Sequence, residues 1–109
     1  MLYYFKVRVN PKEWSSDELW NRWEKQAEAA LAAKASGKMV ALYKVVGQKL
    51  VIGVIDAESH DELDQLFMAG LPISYNLEWE EILPVREYES FASDVKRRWK
   101  PEEEPQTTI

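Results

Sequence analysis

The sequence has no cysteine and a single histidine, His60, among its 109 residues. The lack of cysteine excludes disulfides, thiolate metal sites and a cysteine nucleophile. The four glycines are scattered along the chain, at Gly37, Gly47, Gly53 and Gly70. Such spacing leaves no glycine-rich loop of the kind that cradles a phosphate. We therefore expect no metal site, and a chemistry that needs no bound cofactor.

Long apolar runs and an excess of positive charge are also missing. No run approaches the roughly 20 residues that span a membrane, and Lys6 and Arg8 interrupt the apolar start too early for a signal peptide. We expect a cytoplasmic protein. The net charge of −5 would repel nucleic acid and anionic membranes. Hydrophobic residues make up 46% of the chain, enough for one modest core, so we predict a single domain over residues 1–100.

Local patterns mark the first strand and the first helix. Apolar and polar side chains alternate over residues 2–9, which is the period of a β-strand. Ser15 and Glu18 then form a capping box that begins a helix, and Gly37 is its stop signal. We predict this helix over residues 16–36. Steps of about 100° per residue place a broad buried face on it, made of Leu19, Trp20, Trp23, Ala27, Ala30 and Leu31.

The later patterns complete a βαββαβ order with an extra C-terminal helix. The predicted segments are strands at 38–46 and 49–56, a short helix after Ser59, a strand at 77–83 and a helix at 88–99. Strict alternation on the last strand puts Trp79 and Glu81 on one face and Glu80 on the other. This order predicts an α+β ferredoxin-like sandwich with a four-stranded antiparallel sheet. Residues 101–109 are polar and acidic, which predicts a disordered tail.

The third predicted strand indicates a partner. It is apolar from Leu50 to Ile55 except at Gly53, so both of its faces should be buried. In a βαββαβ sandwich the helices cover only one face of the sheet. A second copy of the chain is the simplest cover for the other face, so we predict a homodimer, a dimeric α+β barrel.

Three stretches, taken in order, resemble one known family. They read LYKVVG at residues 42–47, DAESHDEL at 56–63 and GLP at 70–72, with Tyr75 soon after. Together they resemble the muconolactone Δ-isomerase family over residues 2–84. The resemblance implies a ferredoxin-like subunit that dimerises through its sheets and in some members assembles further into rings. It also implies a cofactor-free 1,3-proton shift in an unsaturated lactone of aromatic catabolism.

The resemblance points to acidic residues of the first helix as candidates for the catalytic base. Glu24 lies about 40° from Trp20, on the shoulder of the apolar face, whereas Glu28 lies further toward solvent. Glu24 is therefore our candidate base, with Glu28 as a nearby substrate contact. The alternative interpretation of Glu24 is a surface carboxylate paired with Arg22 or Lys25.

Five further residues are candidate substrate contacts, and each has a structural alternative. Lys49 stands where the family carries a tyrosine, and it either holds an anion or protects a hairpin edge. Tyr43 and Tyr75 either donate hydrogen bonds at a pocket mouth or pack as core and rim. Trp20 belongs either to a ligand box or to core and dimer packing. His60 is either a proton shuttle or an exposed residue of a capping box.

The leading hypothesis is an isomerase that moves a proton within a small unsaturated lactone or oxo acid. Glu24 would be the base, and Lys49 and Tyr75 would contact the anion and the oxyanion. Gln26 stands at the ungapped position of the family's glutamate, which together with Lys49 predicts a different substrate or a rearranged site. The rival is a non-catalytic or oxygenase-like dimeric α+β barrel that binds a small hydrophobic molecule, since one scaffold hosts many functions.

Overall fold

The strands and helices follow each other in the predicted βαββαβ order, and a third helix ends the described chain. The computed structural model describes residues 1–100, so the predicted tail at 101–109 lies outside the described residues. The elements are β1 (Leu2–Val9), α1 (Ser16–Ala35), β2 (Met39–Lys44), β3 (Leu50–Asp56), α2 (His60–Gln65), β4 (Leu77–Val85) and α3 (Tyr88–Lys96). A π-helical turn, Leu66–Gly70, and a 3-10 turn, Ser74–Asn76, join α2 to β4. The predicted α+β fold class is confirmed.

All four strands pair antiparallel in the order β2-β3-β1-β4. The predicted alternation of β1 is confirmed, because every second side chain is buried on the side of α1 and α2. These buried residues are Tyr3, Phe5, Val7 and Val9. Edge strand β2 carries a bulge at Val40, where the register with β3 shifts. The helices therefore lie over the two central strands, β3 and β1.

Gly53 of β3 allows a close approach between neighbouring strands. It pairs with Phe5 of β1 on one side and with Leu42 of β2 on the other. A Cβ atom at position 53 would lie 2.6 Å from the carbonyl oxygen of Ala41 and 2.8 Å from Cζ of Phe5. The missing side chain lets the Phe5 ring lie over β3, where it joins the larger buried cluster.

The predicted alternation of β4 is wrong beyond Trp79, because the strand contains a bulge. Val7 pairs with Trp79 while Lys6 pairs with Glu81, so Glu80 is an extra residue opposite β1. As a result Glu80 and Glu81 both lie 3.8 Å from the ammonium group of Lys6, on the face away from the helices. A register shift between strands leaves no signal in the alternation of one strand.

The predicted buried face of α1 is largely wrong. Ser15 caps the helix as expected, with its hydroxyl accepting a hydrogen bond from the Glu18 N–H at 3.2 Å. Of the predicted face only Leu19 is buried, while Trp20 and Leu31 are each 60% exposed. The helical period assigned these residues to one side, but the middle of α1 stands away from the sheet. No helix within residues 1–100 is long and apolar enough to cross a bilayer.

The outer face of β3 is only partly covered in the subunit. On the helix side of β3, Ile55 is buried and Val51 is half-buried, whereas on the outer side Leu50 is buried and Ile52 and Val54 are half-buried. None of the helices in the described residues makes extensive contact with that face. The expectation that both faces of β3 are buried is thus met only in part on each face within a single subunit.

Helix α3 projects from the sheet and is stabilised by its own contacts. The guanidinium of Arg86 donates to the Asp94 carboxylate at 2.7 Å and lies 5.6 Å from the ring centres of Phe91 and Trp99. This hydrogen bond from Arg86 lowers the pKa of Asp94, against an opposing effect of desolvation. No other strand or helix of the described chain packs extensively on α3.

The Gly53 contact makes a stability prediction. We expect Gly53→Ala to lower the free energy of unfolding by about 1–3 kcal/mol, because the new methyl group overlaps a backbone carbonyl and a buried ring. Urea denaturation measures the change. Gly70→Ala is the matched control, since its added Cβ would meet the end of the flexible Leu66 side chain, at 3.2 Å. Equal losses in the two variants would contradict the interpretation.

Candidate functional site

A cavity of about 910 Å³ lies between α1 and the helix side of the sheet. Its walls come from α1, from all four strands and from the hairpin between β2 and β3. Cavities of roughly 300–1,000 Å³ enclose drug-sized ligands. This space is therefore the candidate site of the protein.

Small side chains on α1 create the cavity. The helix turns Ala27, Ala30 and Ala33 toward the sheet, where longer side chains would fill the space. On the sheet side the wall includes Leu42 and Val51. The helix is attached near its two ends, where Leu19 packs with one buried cluster and Ala33 with the other. The space between these attachment points stays open and apolar.

Aromatic side chains line the cavity where the hairpin approaches α1. The six residues of β2 run back along α1 for about 20 Å, which equals about 13 residues of helix. That length brings the hairpin beside the turn that holds Trp20, Trp23 and Glu24. The two indole rings stack with centres 6.1 Å apart and planes 20° apart. Tyr43, 66% exposed, lines the same cavity from β2.

Glu24 lines this cavity, and its side-chain carboxylate has no hydrogen-bond or ion-pair partner within residues 1–100. The alternative pairing with Arg22 or Lys25 is not formed, and the Arg22 guanidinium lies over the Trp14 ring at 4.9 Å instead. Glu28, one turn further, does not line the cavity. A carboxylate that is accessible and unpaired is available to accept a proton from a ligand.

Three lysines line the cavity, but two of them are already engaged. Lys38 forms an ion pair with Glu62, and the Lys44 ammonium donates to the Val45 carbonyl oxygen at 2.7 Å. The side chain of Lys49 has no partner among the described residues. Lys49 is thus the cation of the wall that is available to an anionic ligand. Lys38 and Lys44, which both lie within the predicted strand at 38–46, were not predicted as site residues.

Tyr75 and His60 lie outside the cavity. Tyr75 sits in the 3-10 turn, 79% exposed, and its backbone oxygen accepts a hydrogen bond from the Lys12 ammonium at 3.0 Å. His60 begins α2, and its Nδ1 is hydrogen bonded to the Tyr3 hydroxyl. The structure therefore brings together four of the seven predicted site residues: Trp20, Glu24, Tyr43 and Lys49.

Two further polar side chains of the wall were not predicted as site residues. Gln26 accepts a hydrogen bond from the Ile73 N–H at 3.3 Å through Oε1, which anchors the loop before β4. Trp79 stacks on Phe67 with ring centres 3.6 Å apart, and its buried Nε1 has no partner within the described chain. Only two signals in the sequence pointed to these residues. Gln26 stands at the position of the family's glutamate, and Trp79 belongs to the alternating pattern of β4. Within residues 1–100 no three histidine or acidic side chains are grouped to hold a metal.

Comparison with known proteins identifies the family. The family model described as muconolactone delta-isomerase matches residues 1–90. The chain belongs to this family. The resemblance read from the sequence is confirmed, and the match ends within α3. No curated protein sequence matches the chain.

A solved structure of muconolactone isomerase has the same fold. A crystal structure of muconolactone isomerase superposes with a TM-score of 0.67, at 21% sequence identity, covering 80% of this chain and 91% of the other. At that identity the likeness concerns the fold alone. The family match and the shared fold together place the cavity of this chain on a muconolactone isomerase scaffold.

The open position of Trp20 yields a second stability prediction. We expect Trp20→Ala to change the free energy of unfolding by less than about 1 kcal/mol, because the ring is mostly exposed, whereas Leu19→Ala should cost about 2–5 kcal/mol. Thermal or urea unfolding of the two variants makes the comparison. If Trp20→Ala cost as much as Leu19→Ala, the ring would be part of the core and not a cavity wall.

Proposed function

We propose that the protein is an isomerase of aromatic catabolism that moves a proton within a small unsaturated lactone or oxo acid. Membership of the muconolactone delta-isomerase family supports the reaction class. The observation that carries the proposal is that an unpaired carboxylate, Glu24, and an unpaired ammonium, Lys49, line the same apolar cavity. The reaction needs no cofactor, and the proposed setting is the cytoplasm.

The proposed reaction has two proton transfers. The Glu24 carboxylate removes a proton from the carbon next to the substrate carbonyl, and the electron pair of that C–H bond moves toward the carbonyl oxygen, which gives a dienolate. The protonated Glu24 then returns the proton to a more distant carbon, so the double bond shifts and no atom is gained or lost. One residue thereby acts first as base and then as acid.

Positive charge and hydrogen-bond donors stabilise the anionic groups of the substrate. The Lys49 ammonium pairs with the substrate carboxylate or with the developing oxyanion. Tyr43, which borders the same cavity, replaces Tyr75 as the proposed oxyanion contact. A ligand that fills the apolar cavity displaces water from around these groups and so strengthens the interactions.

The size of the cavity favours a second candidate function, the binding of a hydrophobic molecule without isomerisation, or an oxygenase-like reaction on the same scaffold. The walls between Ala27 and Ala33 offer space but no polar group for chemistry. Saturable binding without any turnover of lactones would favour this candidate over the isomerase.

We further propose that two copies pair through the outer faces of their sheets, with rings of dimers as the possible larger assembly. That face carries the half-buried Ile52 and Val54 next to a row of opposite charges. Arg8 donates to the Glu80 carboxylate at 2.7 Å there. A two-fold axis through this surface sets apolar side chains against their own copies, which is the arrangement of an isologous dimer.

The base assignment is tested with an ultraviolet assay of muconolactone turnover. We expect Glu24→Gln to lower kcat by about 10²–10⁴-fold, because the amide cannot accept the proton. Glu28→Gln is the matched control, one helical turn away and outside the cavity, and should keep its activity. Equal rates for wild type and Glu24→Gln would remove Glu24 from the mechanism. No turnover by the wild type would favour the second candidate or another substrate.

The dimer is tested by light scattering and sedimentation. We expect the wild type to sediment as a dimer and Val54→Glu as a folded monomer, because a buried unpaired carboxylate is costly at an interface. Val46→Glu is the control, since Val46 lies in the hairpin and is 93% exposed. A stable wild-type monomer at low concentration would contradict the proposed pairing.

A further inference from the structure

The cavity extends well beyond the groups assigned to proton transfer. From Glu24 the wall continues along α1 past Ala27, Ala30 and Ala33. The rise from Glu24 to Ala33 is about 14 Å, at about 1.5 Å per residue. A single lactone ring with a short acid side chain covers only the hairpin end of such a wall. A longer ligand is needed to cover the remaining apolar surface.

An unpaired positive charge is available at only one end of the cavity. Lys49 is unpaired at the hairpin end, whereas Lys38, at the start of β2, is neutralised by Glu62. The wall between the two lysines is apolar on both sides, with Ala30 on α1 and Leu42 on β2. This arrangement fits a ligand with one anionic group and a long apolar body.

The apolar part of the cavity is a space between two layers. A helix lined with alanine forms one layer and the sheet forms the other, so flat molecules fill the space best. Trp20 and Trp23 are stacked with their planes 20° apart where the cavity meets the hairpin. Stacked indoles offer an aromatic ring a flat surface, and aromatic pairs gain stability beyond the area they bury.

We propose that this cavity takes an aryl-substituted acid of at least two rings, with its carboxylate at Lys49, one ring beside the stacked indoles and the next between Ala30 and Leu42. The inference rests on the proposed function, because it names the substrate class of the same site. An unsaturated lactone or oxo acid that carries an aromatic ring is then the substrate, and a single-ring lactone acid is a poor one.

Ligand binding tests this without turnover. Wild type and Glu24→Gln are titrated with biphenylcarboxylate, with benzoate and with the neutral biphenylmethanol, using tryptophan fluorescence and calorimetry. We expect biphenylcarboxylate to bind both proteins at least about tenfold more tightly than benzoate, because the second ring buries apolar surface on the alanine wall. It should also bind at least about tenfold more tightly than biphenylmethanol, which cannot pair with Lys49.

Variants of the wall separate size from charge. Ala30→Leu fills the middle of the cavity and should weaken biphenylcarboxylate about tenfold or more while leaving benzoate unchanged. Ala32→Leu, on the same helix but outside the cavity, is the matched control and should bind both acids as the wild type does. Lys49→Met should weaken both acids and leave biphenylmethanol unchanged.

Equal binding of benzoate and biphenylcarboxylate to the wild type would overturn the inference, and this holds even if Ala30→Leu does not fold. An unchanged affinity in a folded Ala30→Leu would overturn it as well. The outcome is separate from the isomerase proposal. Tight biphenylcarboxylate binding without lactone turnover would support the proposed ligand class and contradict the proposed reaction. Lactone turnover with equal binding of both acids would support the reaction and contradict the ligand class.

Discussion

The hydrophobic interior is divided into two clusters, and β1 contributes side chains to both. Phe5 belongs to the larger cluster, whereas Val9 packs with Leu19 of α1 and with Ile73 in the smaller one. Near its other end α1 reaches the larger cluster through Ala33. The helix is therefore anchored near both of its ends to clusters that β1 links, and the candidate site is the space that this leaves under its middle.

A helix that buries so little of its middle needs another source of stability. The central turns of α1 are rich in alanine, which has the highest helix propensity of all residues, and glutamate and lysine rank close behind. The Ser15 cap and the acidic first turn add to this. The same alanines that keep the helix formed without packing also keep the cavity open. The alanines of α1 thus provide both the stability of the helix and the space for a ligand.

The sequence revealed the elements because their signals are local. Caps such as Ser15 and the alternation of β1 depend only on residues that are near neighbours in the chain. The bulge at Glu80 depends on pairing with β1, and the distance of α1 from the sheet depends on packing at both helix ends, so neither could be read from periodicity. The helical angle did place Glu24 beside the cavity and Glu28 outside it. Tyr75 lies outside the cavity, and periodicity could not show this because the direction of a short turn is set by its tertiary contacts.

Strand β2 forms one free edge of the sheet, and its features determine how copies of the chain can associate. Exposed strand edges invite pairing with other chains, which leads to aggregation. The bulge at Val40 interrupts the flat edge, and Lys38 and Lys44 place charges at both ends of the strand. Extension of the sheet by strands of other copies is therefore disfavoured at this edge, and the proposed pairing through the broad outer face makes no use of it.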